Sequence, residues 1–124
     1  MAVVMTRARF EELVADALDD IPADLAEQMD NVVVRVQGWP TAAQQRGHAG
    51  TLLGLYEGVA LTRRPYRAGG GWVQPDRITI FQGPHCRRAA DEDELAARVR
   101  TTVLHEVAHH FGISDARLVE LGWA

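Results

Sequence analysis

Two histidines four residues apart constrain the local fold of this chain more than any other feature. His105 and His109 begin and end a stretch of five residues that reads His-Glu-Val-Ala-His. On an α-helix this spacing puts both side chains on one face, about 6 Å apart along the helix axis. Gly112 follows, and a glycine there lets the chain leave the helix with a positive φ and double back. The pattern therefore predicts a helix through both histidines and a reversal directly after it.

The same stretch supplies the donor atoms of a metal site. Two neutral imidazoles on a rigid backbone can bind one zinc ion at roughly 2.0–2.1 Å. Glu106 is turned about 100° from His105 and about 60° from His109 on such a helix, so it stands where a base that activates water is needed. The carboxylate of Asp115, just beyond Gly112, completes a three-ligand set and leaves the fourth position to water, as in catalytic zinc sites. We therefore predict Glu106 as the catalytic base of a zinc site whose ligands are His105, His109 and Asp115.

The motif also carries a family resemblance. The pattern His-Glu-x-x-His-x-x-Gly-x-x-Asp, with the residues around it, closely resembles the bacterial minimal zincin-like metallopeptidase family. The stretches that carry the resemblance are residues 10–14, 53–58, 75–81 and 102–115. The resemblance implies an α+β fold of the minimal zincin-like type, with a small three- or four-stranded sheet packed on an N-terminal helix and an active-site helix. It also implies the same site, since the family's catalytic glutamate matches Glu106 and its ligands match His105, His109 and Asp115.

Hydrophobic residues at helical spacing predict the first helix and the long helix that carries the motif. The first helix stops near Pro22, and its apolar face consists of Phe10, Leu13, Val14, Ala17, Leu18 and Ile21. The long helix starts near Asp91, whose side chain can accept from the free amides of the first turn. Its apolar side consists of Leu95, Val99, Val103 and Val107. A last short helix is predicted to begin near Ser114 or Asp115.

Three further stretches predict strands. Residues 32–36 form a β-branched run with one charge, which predicts a buried strand. The second strand is predicted over about residues 52–61 and the third over residues 77–82, with a loop over residues 38–51. In the second strand, Gly54 and Gly58 share a face on which a neighbouring group can approach the backbone closely.

Composition excludes several other classes of protein. The net charge of −4 argues against nucleic-acid binding, which draws its affinity from basic charge. All 13 basic residues are arginine, so no lysine is available for a Schiff base or a phosphate-binding loop. No apolar run approaches the ~18 residues of a membrane span, and the N-terminal apolar run is too short for a signal peptide. The single cysteine, Cys86, fits a reducing cytoplasm, and the length predicts one domain over residues 1–124.

Several residues near the motif have two interpretations. Asp115 can bind the metal or cap the last helix. His110 points about 100° away from His109, which favours a core residue or a support for the ligands over a further ligand. His85, in a predicted loop, can stabilise a reaction intermediate or have no role. Cys86 can bind the zinc as an inhibitory thiolate or pack as a small hydrophobic residue, and the second is favoured.

Together these features predict zinc-dependent hydrolysis of peptide bonds, in which Glu106 takes a proton from water and passes it to the leaving amine. A peptide or protein substrate would bind along a sheet edge by main-chain pairing, and neither nucleic acid nor membrane is expected as a partner. Because the sequence ends soon after the site, we expect no second subdomain of the kind that closes the cleft of larger zincins. We therefore expect weak activity or a narrow substrate range, from a monomer or a small homo-oligomer. The alternative is a non-catalytic zinc-binding or interaction module, which the missing subdomain favours and the intact Glu106 does not.

Overall fold

The computed structural model of the chain describes residues 2–29, 31–58 and 76–121. The described helices are α1 (Arg7–Asp19), α2 (Ala23–Ala26), α3 (Ala42–Gln45), α4 (Gln82–Arg88), α5 (Glu92–His110) and α6 (Asp115–Leu121). The strands are β1 (Val32–Gln37), β2 (Gly54–Glu57) and β3 (Asp76–Phe81). This arrangement confirms the predicted α+β class and the small sheet packed with an N-terminal helix and the long helix α5.

The sheet is mixed, and β3 lies in its centre. Its order is β1-β3-β2, with β1 parallel to β3 and β2 antiparallel to it. Ile78 of β3 is paired with Val34 on one side and with Tyr56 on the other, and it is fully buried. Both β2 and β3 contact α5, so β2 lies beside the helix that carries the histidine motif.

The packing of α1 against α5 forms most of the core. The predicted face of α1 is confirmed, since Phe10, Leu13, Val14 and Ala17 are buried, with Ile21 buried beyond the helix end and Leu18 partly buried. The predicted side of α5 is confirmed as well: Leu95, Val99, Val103 and Val107 are all fully buried. Full burial of an aliphatic side chain of this size stabilises by roughly 1.5–3 kcal/mol, so these two faces supply much of the attraction that holds α5 in place.

The start of α5 is fixed by its own side chains. Asp91 is the N-cap, and its carboxylate accepts a hydrogen bond of 2.8 Å from the backbone N–H of Glu94. Acidic residues fill the first turn, where they favour the positive end of the helix dipole: Glu92, Asp93 and Glu94. The predicted start near Asp91 is therefore confirmed, and a helix begun there carries His105 and His109 on its last turns.

The prediction of a buried first strand is wrong. Among the described residues β1 pairs with β3 alone, its side chains alternate between half-buried and exposed, and Val33 is 46% exposed. Arg35 is exposed on the same face. A β-branched run fits a pleated strand whether one face or both are covered, so the composition of β1 did not reveal that only one of its faces packs on the core.

Two helices lie where the sequence predicted none. Helix α3 falls in the predicted loop over residues 38–51 and begins with a capping box, in which the side chains of Thr41 and Gln44 bond each other's backbone N–H. Helix α4 follows β3 directly, so the third strand ends at Phe81 and not at residue 82. Pro84 lies in the first turn of α4, where its missing N–H removes no helical hydrogen bond.

The second strand is shorter than predicted in its described part. β2 covers Gly54–Glu57, whereas the prediction ran over about residues 52–61, of which 59–61 lie outside the described residues. Within the described part of the chain, no helix combines the length and the apolar character needed to cross a membrane.

Candidate metal centre

Three of the four predicted site residues come together on the last turns of α5. The rings of His105 and His109 have their centroids 4.6 Å apart with an angle of 69° between their planes. His105, Glu106 and His109 each offer one possible ligand atom, and these atoms lie within 4.8 Å of one another. The spacing of four residues on a helix therefore has the predicted result, because it puts both imidazoles on one face with the carboxylate beside them.

Burial differs sharply within this group. The side chain of His109 is 40% exposed and His105 is half-buried, whereas the side chain of Glu106 is only 9% exposed. The carboxylate Oε1 of Glu106 lies 3.2 Å from Nδ1 of His109. Partly exposed imidazoles can bind an ion from solvent, whereas the residues packed around the buried carboxylate of Glu106 restrict its movement. This donor set fits a borderline-soft divalent ion such as zinc.

Strand β2 approaches the carboxylate side of this group closely. A Cβ atom built on Gly54 would lie 2.8 Å from Cγ2 of Thr102 and 3.1 Å from Cγ of Glu106. Both distances are shorter than the roughly 3.5–4.0 Å at which carbon atoms attract one another best. The predicted close approach at Gly54 is confirmed, and the groups that approach are side chains of α5.

Comparison with known proteins agrees with this geometry. The family model described as zincin-like metallopeptidase matches residues 29–123, a range that includes β1 to β3, α5 and the whole motif. The chain belongs to the zincin-like metallopeptidase family. A solved structure of a conserved hypothetical protein from T. thermophilus has a similar fold, with a TM-score of 0.58 and 28% sequence identity over 86% of this chain and 94% of that chain. No curated protein matches the chain.

The backbone of this zincin-like protein reverses direction at Gly112, directly after α5, as the sequence predicted. Gly112 has a φ of 70°, which a residue with a side chain adopts only with strain. Its N–H donates to the carbonyl of His109 at 3.0 Å, and the N–H of Ile113 donates to the carbonyl of Ala108 at 2.9 Å. These two bonds form a Schellman motif, which satisfies carbonyls at the end of the helix. The chain then enters α6 at Asp115.

The side chain of Asp115 lies outside the described residues, so its role as a ligand stays a prediction. The other interpretation was that Asp115 caps α6, but the neighbouring residue Ser114 has that role. The Ser114 hydroxyl accepts a hydrogen bond of 3.2 Å from the backbone N–H of Arg117, and the Ser114 carbonyl accepts from Leu118. Ser114 therefore caps α6, and Asp115 is the first residue of that helix.

His110 is a core residue, as its direction on the helix predicted, and lies outside the possible ligand group. Its Nδ1 lies 2.9 Å from Oδ2 of Asp76, and the hydroxyl of Tyr56 donates to the same oxygen at 2.7 Å. Asp76 and His110 are both buried. The cluster ties the end of α5, next to His109, to the first residue of β3 and to β2.

Sequence reasoning missed Asp76 as part of the support of the site. A carboxylate at the start of a strand with several apolar residues was the available signal, because a buried charge needs hydrogen-bonding partners. The sequence did not say which partners these would be, since His110 is 34 residues away.

His85 does not lie in a loop, which corrects the prediction, and it lies outside the candidate centre. It belongs to α4, is fully buried, and packs near the ring of Phe10 at a centroid distance of 6.0 Å. Neither of its ring nitrogens has a hydrogen-bond partner among the described residues. Burial, with smaller contributions from Arg98 and Arg88, lowers the pKa of His85 to about 4. A neutral, buried imidazole in this position is a packing residue.

Cys86 packs as the small hydrophobic residue that was favoured. It is half-buried against the core, and burial raises the pKa of its thiol. The possible ligand group found in the described part of the chain does not include it.

Proposed function

We propose that this zincin-like protein is a zinc-dependent peptidase whose metal ligands are His105, His109 and Asp115. The observation that carries the proposal is the buried carboxylate of Glu106 next to two accessible histidines on one helix. A purely structural zinc site does not need a general base beside the ion. Zinc bound there would supply Lewis-acid chemistry, by polarising the substrate carbonyl and making water more acidic.

Glu106 is the proposed general base. Its low exposure and its place on a rigid helix limit the positions that its carboxylate can adopt. A base must stand within hydrogen-bond reach of the water whose proton it takes, and a preset position lowers the entropy cost of reaching that geometry. Glu106 then returns the proton to the leaving amine, so one side chain serves both halves of the reaction.

The proposed substrate is an extended stretch of a peptide or protein. Among the described residues β2 pairs with β3 alone, and it lies directly beside Glu106. A peptide in β conformation can add to such an edge by main-chain hydrogen bonds, which bind many sequences and leave selection to a few side chains. Because this zincin-like protein has a single cysteine and a net charge of −4, we also propose a cytoplasmic location and no nucleic-acid partner.

Glu106→Gln tests the proposal. The change keeps the size of the side chain and removes its ability to take a proton, so zinc and fold should remain while peptide hydrolysis falls by ~10²–10⁴-fold. The substrate must be one that the wild type cuts, found by digesting a broad peptide library. Zinc content is measured on both proteins, because a variant that loses zinc would lose activity for that reason and would not test Glu106 as the base.

Two results would contradict the proposed peptidase activity. Equal cleavage by wild type and Glu106→Gln would assign the activity to a contaminant or to another site. A wild type that holds zinc and cuts no peptide would favour the non-catalytic zinc-binding module.

A further inference from the structure

We infer that Gly54 is a positioning residue that sets where the Glu106 carboxylate stands, because its missing side chain leaves the space in which Glu106 lies between β2 and α5. The catalytic importance of this placement rests on the proposed function, but the placement itself does not. Gly54 is not one of the described glycines with a positive φ. Position 54 therefore favours glycine because a side chain has no room there, and not because the backbone has an unusual conformation.

Side chains from two successive turns of α5 occupy the space next to Gly54. Thr102 and Glu106 are four residues apart and therefore share one face of the helix. A Cβ atom on residue 54 would be 2.8 Å from Cγ2 of Thr102 and 3.1 Å from Cγ of Glu106. Neither group can withdraw easily. Thr102 is β-branched and restricted at χ1 on a helix, and Cγ of Glu106 is separated from the helix backbone by one carbon.

Strand β2 cannot move away to make room without loss of its own bonds. Gly54 is paired with Ile80, which is fully buried in the central strand, and the N–H of Phe81 donates to the carbonyl of Leu53 at 3.0 Å. A side chain at position 54 therefore either strains the contact between β2 and α5 or turns Glu106 away. The second effect would be felt at the site, because Oε1 of Glu106 lies 3.2 Å from Nδ1 of His109.

Three variants separate these two effects. Gly54→Ala introduces both close contacts. Thr102→Ser removes only Cγ2, so the double variant Gly54→Ala/Thr102→Ser relieves the shorter contact and keeps the one with Glu106. Gly38→Ala is the matched control: Gly38 also has no positive φ, and its added Cβ would meet only the end of Arg7, at 3.8 Å.

The first measurement is the ring nitrogen NMR signals of His109 in metal-free protein at one pH, together with urea unfolding. We expect Gly54→Ala to lose stability and to shift the His109 signals. The double variant should regain stability while its His109 signals stay shifted. Gly38→Ala and Thr102→Ser alone should leave those signals in place. If Gly54→Ala does not fold, the double variant carries the comparison, since it lacks the contact of 2.8 Å.

The second measurement is cleavage of a peptide that the wild type cuts. Displacement of a catalytic group by about 1 Å can cost on the order of 10²-fold, so we expect a loss of at least about tenfold that persists in the double variant. The inference is overturned if Gly54→Ala leaves the His109 signals and the cleavage rate unchanged. It is also overturned if Thr102→Ser restores stability and His109 signals together. A wild type that cuts nothing would refute the proposed peptidase, whereas the NMR comparison would still decide the role of Gly54.

Discussion

Acidification is expected to destabilise this protein through one buried histidine, His85. The side chain is fully buried in α4, and burial lowers its pKa from the ordinary value of 6.5 to about 4. Between these two pH values the unfolded chain binds a proton at His85 that the folded protein does not bind. The free energy of unfolding therefore falls as the pH drops below 6.5, and the fall ends near pH 4.

The size of this effect follows from the shift. One pKa unit corresponds to about 1.4 kcal/mol, so the lowering from 6.5 to about 4 corresponds to about 3 kcal/mol in all. About 2 kcal/mol of this is lost by pH 5. A small domain has a total stability of about 5–15 kcal/mol, so a single side chain would account for a large share of the sensitivity to acid.

Two substitutions isolate the proton from the packing. His85→Asn keeps a polar side chain that does not titrate, and His85→Leu also removes the two ring nitrogens that have no partner among the described residues. The assay is urea unfolding of metal-free protein at pH values between about 4.5 and 7.5. Both variants should lack the contribution of about 3 kcal/mol, and His85→Leu should be at least as stable as the wild type at neutral pH, because no buried polar group is left unsatisfied.

The comparison uses the difference between wild type and variant at each pH, which cancels the groups that all three proteins share. If wild type, His85→Asn and His85→Leu lose stability in parallel as the pH falls, the buried histidine is not the cause and the reasoning is refuted.

Three other predictions concern the region around the end of α5. Asp115→Asn should weaken zinc affinity by at least about tenfold, whereas Ser114→Ala, which removes the cap of α6, should cost about 1 kcal/mol of stability and leave zinc affinity unchanged. A competition titration with a chelator measures the first and urea unfolding the second; equal zinc affinity in Asp115→Asn and wild type would remove Asp115 from the ligand set. Tyr56→Phe removes a hydrogen bond to the buried carboxylate of Asp76 and should cost about 1–3 kcal/mol in urea unfolding, so a cost near zero would show that another group replaces it.

The part of the site that could be predicted is the part that is local in sequence. His105, Glu106 and His109 belong to one helix, and their relation depends only on 3.6 residues per turn. The buried side of α5 and its ends at Asp91 and Gly112 follow from equally local rules of periodicity and capping. A regular helix of 19 residues repeats its pattern often enough to leave no competing interpretation.

The contacts that support the site could not be predicted because they join distant segments. Asp76 bonds to Tyr56 and His110, which lie 20 and 34 residues away. Gly54 was expected to be approached closely, but nothing local indicated that α5 would be the element that approaches it. Such contacts depend on the order of the strands in the sheet, and hydrophobic patterns in the sequence do not reveal that order.

Helix α4 was missed for a different reason. Gly83 and Pro84 are typical of turns, yet both lie in the first turn of α4, where a proline is tolerated. The consequence was larger than a boundary error, because it placed His85 in a loop near the site and not in the core.

Zinc content tests the central claim of this account most directly, which is that His105 and His109 bind a metal ion. The protein is purified without added metal, dialysed against a buffered zinc solution and analysed for metal, next to the double variant His105→Ala/His109→Ala. The account predicts about one zinc per chain in the wild type and none in the variant, because a helix face without these two imidazoles cannot hold the ion. Full occupancy in the double variant, or no zinc in a folded wild type, would contradict it.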